Sequence, residues 1–206
     1  MTKASFNRAI GDAIEPAGFC LVEDKRRDRT WRRQSGDYRQ SIQIRTSSFD
    51  LKTASIYVGV ADVALWREIK AASPSWPWPV LDNVEKNLGH LMGPYVDDWE
   101  RSDPRAQTAA VEAIAGHAIP FIERVSSREG MRDYLEEFLG NSRGVRWGTG
   151  AKIRWDLAVI HLWLGNPQRG CDLLDDPPRR FREGEHSGPV IETIRRMCCE
   201  AAAKPS

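Results

Sequence analysis

The apolar period of this chain changes once, near Pro16, and that change limits the possible folds more than any single motif does. Residues 2 to 16 place Phe6, Ala9, Ile10, Ala13 and Ile14 at the i, i+3, i+4, i+7, i+8 positions of one helical face. Lys3, Asn7, Arg8, Asp12 and Glu15 lie opposite. Thr2 can cap this helix, and Pro16 with Gly18 ends it. Beyond Gly18 the period is two: GFCLVED, DRTWRRQ, YRQSIQIRT and ASIYVGVADV read as four strands joined by short polar turns.

A helical stretch is expected from Asp62 to about Ala72, followed by SPSWPWPV, where alternating prolines and tryptophans require an extended loop. The next stretch stays open. Leu81, Val84, Leu88 and Leu91 suit a helix, whereas PYVDDWE fits a strand as well. From Asp103 the pattern is helical to the end. Ser102 or Asp103 caps a helix that Pro120 is expected to kink or break. Ser127 starts another, ended by Gly140. A third begins at Thr149 and is apolar on nearly all sides between Ile153 and Leu164, so it belongs in a core. Asn166 and Pro167 open a short helix carrying Cys171, Leu173 and Leu174. The last helix aligns Val190, Ile194, Met197, Cys198 and Ala201. LAVIHLWLGNPQRGCDLL resembles one tetratricopeptide-like hairpin, but no second copy exists to make an array.

These elements predict an α+β fold: an N-terminal helix packed on an antiparallel β-meander of four or more strands, followed by a mostly helical C-terminal part. With 206 residues the chain accommodates an α+β domain over 1–125 and a helical extension over 126–206 packed on it. Lys and Arg total 30 against 29 Asp and Glu, which removes the global basic field of a non-specific nucleic-acid binder. The opening MTKASFNRAI lacks the apolar stretch of a signal peptide, and no run of about 18 apolar residues occurs, so a cytoplasmic protein without a membrane partner is expected. The cysteines Cys20, Cys171, Cys198 and Cys199 form no CxxC pair, and reduced, buried thiols are the expectation in that compartment.

The segment RRDRTWRRQSGDYRQSIQIRT allows a sharper expectation. If Gly36 and Asp37 form a two-residue turn, Ser35 flanks Tyr38 and the register is set. Trp31 falls opposite Ile42, Arg33 opposite Gln40, Arg29 opposite Ile44, Arg32 opposite Ser41, Thr30 opposite Gln43 and Gln34 opposite Arg39. Trp31, Ile42 and Ile44 then share one face, and Arg32, Arg39, Gln43 and Arg45 the other. Single-strand binders stack bases on aromatics that share a face with basic side chains, and here the tryptophan turns away from the arginines. The preceding turn is open: a two-residue loop at Lys25 and Arg26 sends Phe19 and Leu21 outward, and an odd loop reverses that.

No catalytic constellation emerges. GNSRGVRWGTGAK lacks the GxxxxGK[ST] spacing of a phosphate loop. His90, His117, His161 and His186 show no metal spacing, and neither a cofactor nor a metal is expected. His161 is read as a structural histidine, and a nucleophile pair with Cys171 lacks an orienting third residue. Asp97, Asp98 and Glu100 around Trp99 read as solvated loop residues, the two aspartates pointing apart if the segment is a strand.

The N-terminal helix, Gly18 with Phe19, the basic turn into TWRR, the strand with central Gln43, ASIYVGV and the later Pro120–Phe121 pair resemble bacterial domain-of-unknown-function family 4304 over the first 125 to 140 residues. The resemblance implies an α+β domain without an established active site, similar in style to immunity proteins that neutralise a toxin by binding it. The tryptophan–proline loop and the C-terminal helices depart from the family pattern. The functional expectation is a non-enzymatic protein-binding module that meets an acidic or toxin-like partner through Arg32, Arg39, Gln43, Arg45, Trp76 and Trp78. The alternative is a nucleic-acid-binding module using the same arginines. Oligomeric state is left open.

Overall fold

In the computed structural model, residues 3–25, 28–46, 50, 52–72, 82–93, 98–141, 149–175 and 188–203 are described. Helix α1 (Lys3–Ile14) runs into a 3-10 turn (Glu15–Ala17), and Gly18 at φ +86° accepts the left-handed conformation that turns the chain into the sheet. Phe6, Ile10 and Ile14 of the expected stripe are fully buried. Asn7, expected on the polar face, is buried too, because the Arg101 guanidinium donates to its side-chain oxygen.

Strands β1 (Cys20–Asp24), β2 (Asp28–Ser35), β3 (Tyr38–Thr46), β4 (Thr53–Asp62) and β5 (Val84–Asn87) lie in sequence order in one antiparallel sheet, and β6 (Trp99–Glu100) pairs with the start of β4. The β2–β3 register is the expected one at every position, from Asp28 opposite Arg45 to Ser35 opposite Tyr38. Gly36 carries φ +58° and Asp37 no positive φ, the sign pattern of a type II′ turn. At the β1–β2 turn Asp24 lies opposite Arg29 and Lys25 N donates to Asp28 O, so the loop is not the odd-length alternative; a bulge between Leu21 and Glu23 instead shifts the register by one residue and sets Leu21 opposite Trp31. Phe19 is consequently buried and Cys20 exposed, while Leu21 and Val22 remain exposed on the edge strand.

The ambiguous middle segment contains both element types. β5 is followed directly by the short helix α3 (Leu88–Leu91), for which the Asn87 side chain accepts from Gly89 N. Helix α2 (Val63–Ala72) succeeds β4 as expected, and SPSWPWPV lies outside the described residues.

Asp103 caps α4 (Pro104–Ala113) by accepting from Arg105 N. Pro120 does not break the helical run. A π turn over Ile114–Ala118 widens the helix just upstream, and α5 (Ile119–Arg124) continues past the proline.

The remaining helices are α6 (Arg128–Asn141), capped by Ser127, α7 (Thr149–Trp163), α8 (Pro167–Asp175) and α9 (Gly188–Ala202). None of the described helices is long and apolar enough to cross a membrane.

The chain divides into two compact units, Met1–Ala61 with Val84–Ser126, and Asp62–Asn83 with Ser127–Ser206. In the first, the core joins the α1 stripe to Trp31, Ile42, Ile44, Ile56 and Val58 of the sheet, with Ile114 and Ile122 from the later helices. In the second, α7 packs against α6, α8 and α9, and Leu157, Val159 and Ile160 are buried as its all-round apolarity requires. Burial of each such side chain contributes about 1.5–3 kcal/mol relative to exposure.

Candidate functional site

The polar face of the sheet is assembled by strand alternation. On the apolar side, Gln40 is the exception to the pattern, and its polar atoms are satisfied internally. Its oxygen accepts from Arg33 Nε at 2.6 Å and its amide donates to Ser126 Oγ at 2.8 Å. Arg33 also donates to Ala17 O and lies over the Phe19 ring, so this arginine serves the fold.

The other side carries Arg32, Arg39, Gln43 and Arg45, all half-buried, over a floor in which Thr30 and Ser41 are buried. Three strands converge on Arg45. Gln43 Oε1 accepts from its Nε and Nη2, and Glu85 on β5 accepts two bonds, at 3.1 and 2.6 Å. The guanidinium sits 4.2 Å from the Tyr57 ring centroid on β4. Desolvation lowers the affinity of Arg45 for its proton, but the Glu85 hydrogen bond and charge outweigh it and leave its pKa raised. The result is a cation and an aromatic ring held in one orientation by paired neighbours.

Arg32 stands in the middle of β2 between Cys20 and Ser41, and its Nε has no acceptor among the described residues. Arg39 lies opposite Gln34 toward the hairpin turn. Next to Arg32, Glu23 pairs with Lys25, whose hydrogen bond is the main cause of the lowered Glu23 pKa. The four expected sheet residues therefore share one face. Trp76 and Trp78 lie outside the described residues, as do Asp97 and His186.

Asp98 accepts from Ser55 Oγ at 2.5 Å, Trp99 is buried and Glu100 is exposed. The described part of the acidic cluster thus belongs to the β4–β6 pairing. Among the described residues no group of three or more His, Cys, Asp or Glu could hold a metal ion.

The second unit contains a polar network that sequence reading missed. Asp62 is fully buried. Its carboxylate accepts from Leu65 N, capping α2, and from Arg128 Nε at 2.9 Å, while Arg128 lies over the Trp163 ring. Asn83 Oδ1 accepts from Asp62 N, and Asn83 Nδ2 donates to the buried Asp156. Lys152, one turn before Asp156 on α7, donates to Asp156 at 2.7 Å and to the backbone oxygen of Asp82. Burial raises the Asp156 pKa against the opposing pull of Lys152 and Asn83. The i, i+4 Lys–Asp spacing inside an apolar helix was the available sequence signal. The partners from 62 and 83 had none.

His161 and Cys171 do not form a nucleophile pair. His161 Nε2 lies 3.0 Å from Glu136 Oε1, and since a carboxylate only accepts, that nitrogen carries the hydrogen. Cys171 is bonded to Cys199 with their Cα atoms 5.5 Å apart, which corrects the expectation of reduced thiols. Cys20 is free and exposed, and Cys198 alone is a free, buried thiol. The close approach has a local cause. Gly170 beside Cys171 has no side chain, and a Cβ there would meet Ala158 O at 2.8 Å and Cys198 Sγ at 2.9 Å.

No family model, curated protein or solved structure matches this chain.

Proposed function

We propose that the chain is a cytoplasmic, non-enzymatic protein-binding module that meets an acidic partner surface through the polar face of its sheet. The observation that carries this reading is the Arg45–Tyr57 stack held by Gln43 and Glu85. An arginine on an aromatic ring, already ordered before binding, loses little conformational freedom on contact, and Arg and Tyr are enriched where binding energy concentrates. Arg32 and Arg39 supply further positive charge on the same face. The resemblance to family 4304 supports an immunity-type role in which the partner is a toxin neutralised by binding.

The test is affinity capture from the native cell with the full chain as bait, repeated with Arg32→Glu/Arg39→Glu. These substitutions leave the Arg45 network intact. The charge reversal is expected to weaken capture of the specific partner by tenfold or more, and unchanged capture would remove this face from the function. The nucleic-acid alternative predicts salt-dependent retardation of single strands in a gel. Retardation at low salt that the double variant abolishes would replace the protein-binding reading.

A further inference from the structure

The second unit holds a cross-link whose position points to regulation. Helix α9 packs on α7, α8 and α2, yet Ile194 and Cys198 are the buried residues among its described side chains. Its other described side chains, from Ile191 to Ala202, are half-buried or exposed, so the cross-link adds a fixed tie to a partly covered helix. Arg195 pairs with Asp175, both about half exposed, and Cys198 Sγ donates to Ala158 O at 3.5 Å. The Cys171–Cys199 bond joins α8 to α9 across a separation of 28 residues.

We propose that the α8–α9 pair is a redox-operated clasp: oxidised, it holds α9 on the helical unit, and reduction by a dithiol reductant releases α9 and uncovers the faces of α7 and α8 beneath it. In the cytoplasm proposed above, where dithiol reductants maintain thiols, such a bond is made and broken rather than permanent.

The chemistry balances within the reductant and the two cysteines. A reductant thiolate attacks Cys199 Sγ, the half-buried partner, and the electron pair of the broken S–S bond leaves on Cys171 Sγ, which takes a proton. The second reductant thiol then attacks its own sulfur in the mixed disulfide, closes the reductant's disulfide and frees Cys199 as a thiol. Two electrons and two protons pass to the protein. A small-molecule disulfide such as oxidised glutathione reverses the exchange. Cys198 stays outside it: burial pushes its thiol up to about 11, so it carries almost no thiolate at neutral pH.

The experiment uses the full chain, oxidised with glutathione disulfide or reduced with dithiothreitol, and reads native iodoacetamide labelling and peptide-resolved amide exchange. Reduction is expected to add Cys171 and Cys199 to the labelled set, to add Cys198 with them as α9 leaves its seat against Ala158 and Gly170, and to speed exchange in α9 by on the order of several hundred-fold, the loop-closure expectation for this separation. Cys171→Ser should show fast α9 exchange in either buffer, and Cys198→Ser should keep the response to reductant. Three results would overturn the clasp. The oxidised chain lacks a Cys171–Cys199 bond; reduction frees both thiols while α9 exchange is unchanged; or α6 and α7 open together with α9, which makes the bond a plain structural staple.

Discussion

Arg101 in the first unit is buried against Thr46 Oγ1 and Asn7 Oδ1, both neutral, at 3.2 Å each. In the second unit the arrangement is reversed: the carboxylates of Asp62 and Asp156 are the buried members, and each is met by a cation that keeps about a quarter to a third of its side chain exposed, Arg128 and Lys152. A buried cation among neutral acceptors bears a desolvation cost without Coulombic return, whereas a buried carboxylate paired to a half-solvated cation recovers part of it. The contrast has a consequence for substitution. Removing the Arg101 charge leaves neutral groups behind, and removing Arg128 or Lys152 leaves a buried carboxylate.

The largest effect is therefore expected from Arg128→Leu. Asp62 would keep its bond from Leu65 N but lose the Arg128 guanidinium, and the cost should be about 3–5 kcal/mol, the range for breaking a buried pair. A urea titration that shows a loss below about 1 kcal/mol would mean that Asp62 is not held as an anion.

Next is Gly170→Ala, which tests packing rather than charge. The added methyl must displace both the Ala158 carbonyl and the Cys198 sulfur, and about 1–3 kcal/mol should be lost. The loss should appear in amide exchange of α7 to α9 and leave the β2–β3 hairpin unchanged. A loss spread equally over the hairpin would contradict its local origin.

Asp156 sharpens the comparison through pH. Its pKa is raised in the folded chain above the ordinary 3.8, so the folded state binds that proton more tightly than the unfolded state. The contribution is fully present below the ordinary value and is lost as pH rises through the raised one. Asp156→Asn keeps an oxygen for the Asn83 amide and cannot ionise. The difference in urea midpoint, variant minus wild type, should grow from pH 4 upward until the raised pKa is passed. A pH-independent difference would show that the buried carboxylate does not titrate differently on folding.

Legibility from sequence divides along the same lines. The hairpin was legible to the residue because turn chemistry and a period of two leave one register, which places Trp31, Ile42 and Arg45. The shared face of Arg32, Arg39, Gln43 and Arg45 came with it, but the clamp on Arg45 did not, because Glu85 is 40 residues away on a strand left ambiguous. The β1 register depended on the length of one loop and on a bulge, neither of which has a reliable sequence sign. Asp62 with Arg128, Asn7 with Arg101, and Cys171 with Cys199 are meetings set by helix and strand packing. Periodicity gives a residue's face and not its partner, which is why Asn7 reads as a solvent-facing residue in the sequence.

The smallest effect is expected from Arg101→Met, and it separates the two units most cleanly. Desolvation, with the nearby charge of Arg29, lowers the Arg101 pKa, both signs of a cation in an unfavourable place. Its Nε has no acceptor among the described residues, and its bonds to Thr46 and Asn7 go to groups that stay neutral when it leaves. Its backbone N–H, which extends the β4–β6 pairing by donating to Lys52 O, is retained by any residue except proline. Methionine fills much of the same volume without a charge to desolvate, so the change in stability should lie within about 1 kcal/mol of zero in either direction. Asn7 and Thr46 lose one donor each, which limits any gain. A loss as large as that of Arg128→Leu would mean that Arg101 meets a negative charge in the working protein, and the contrast between the units would then concern where the anion comes from rather than whether one is needed.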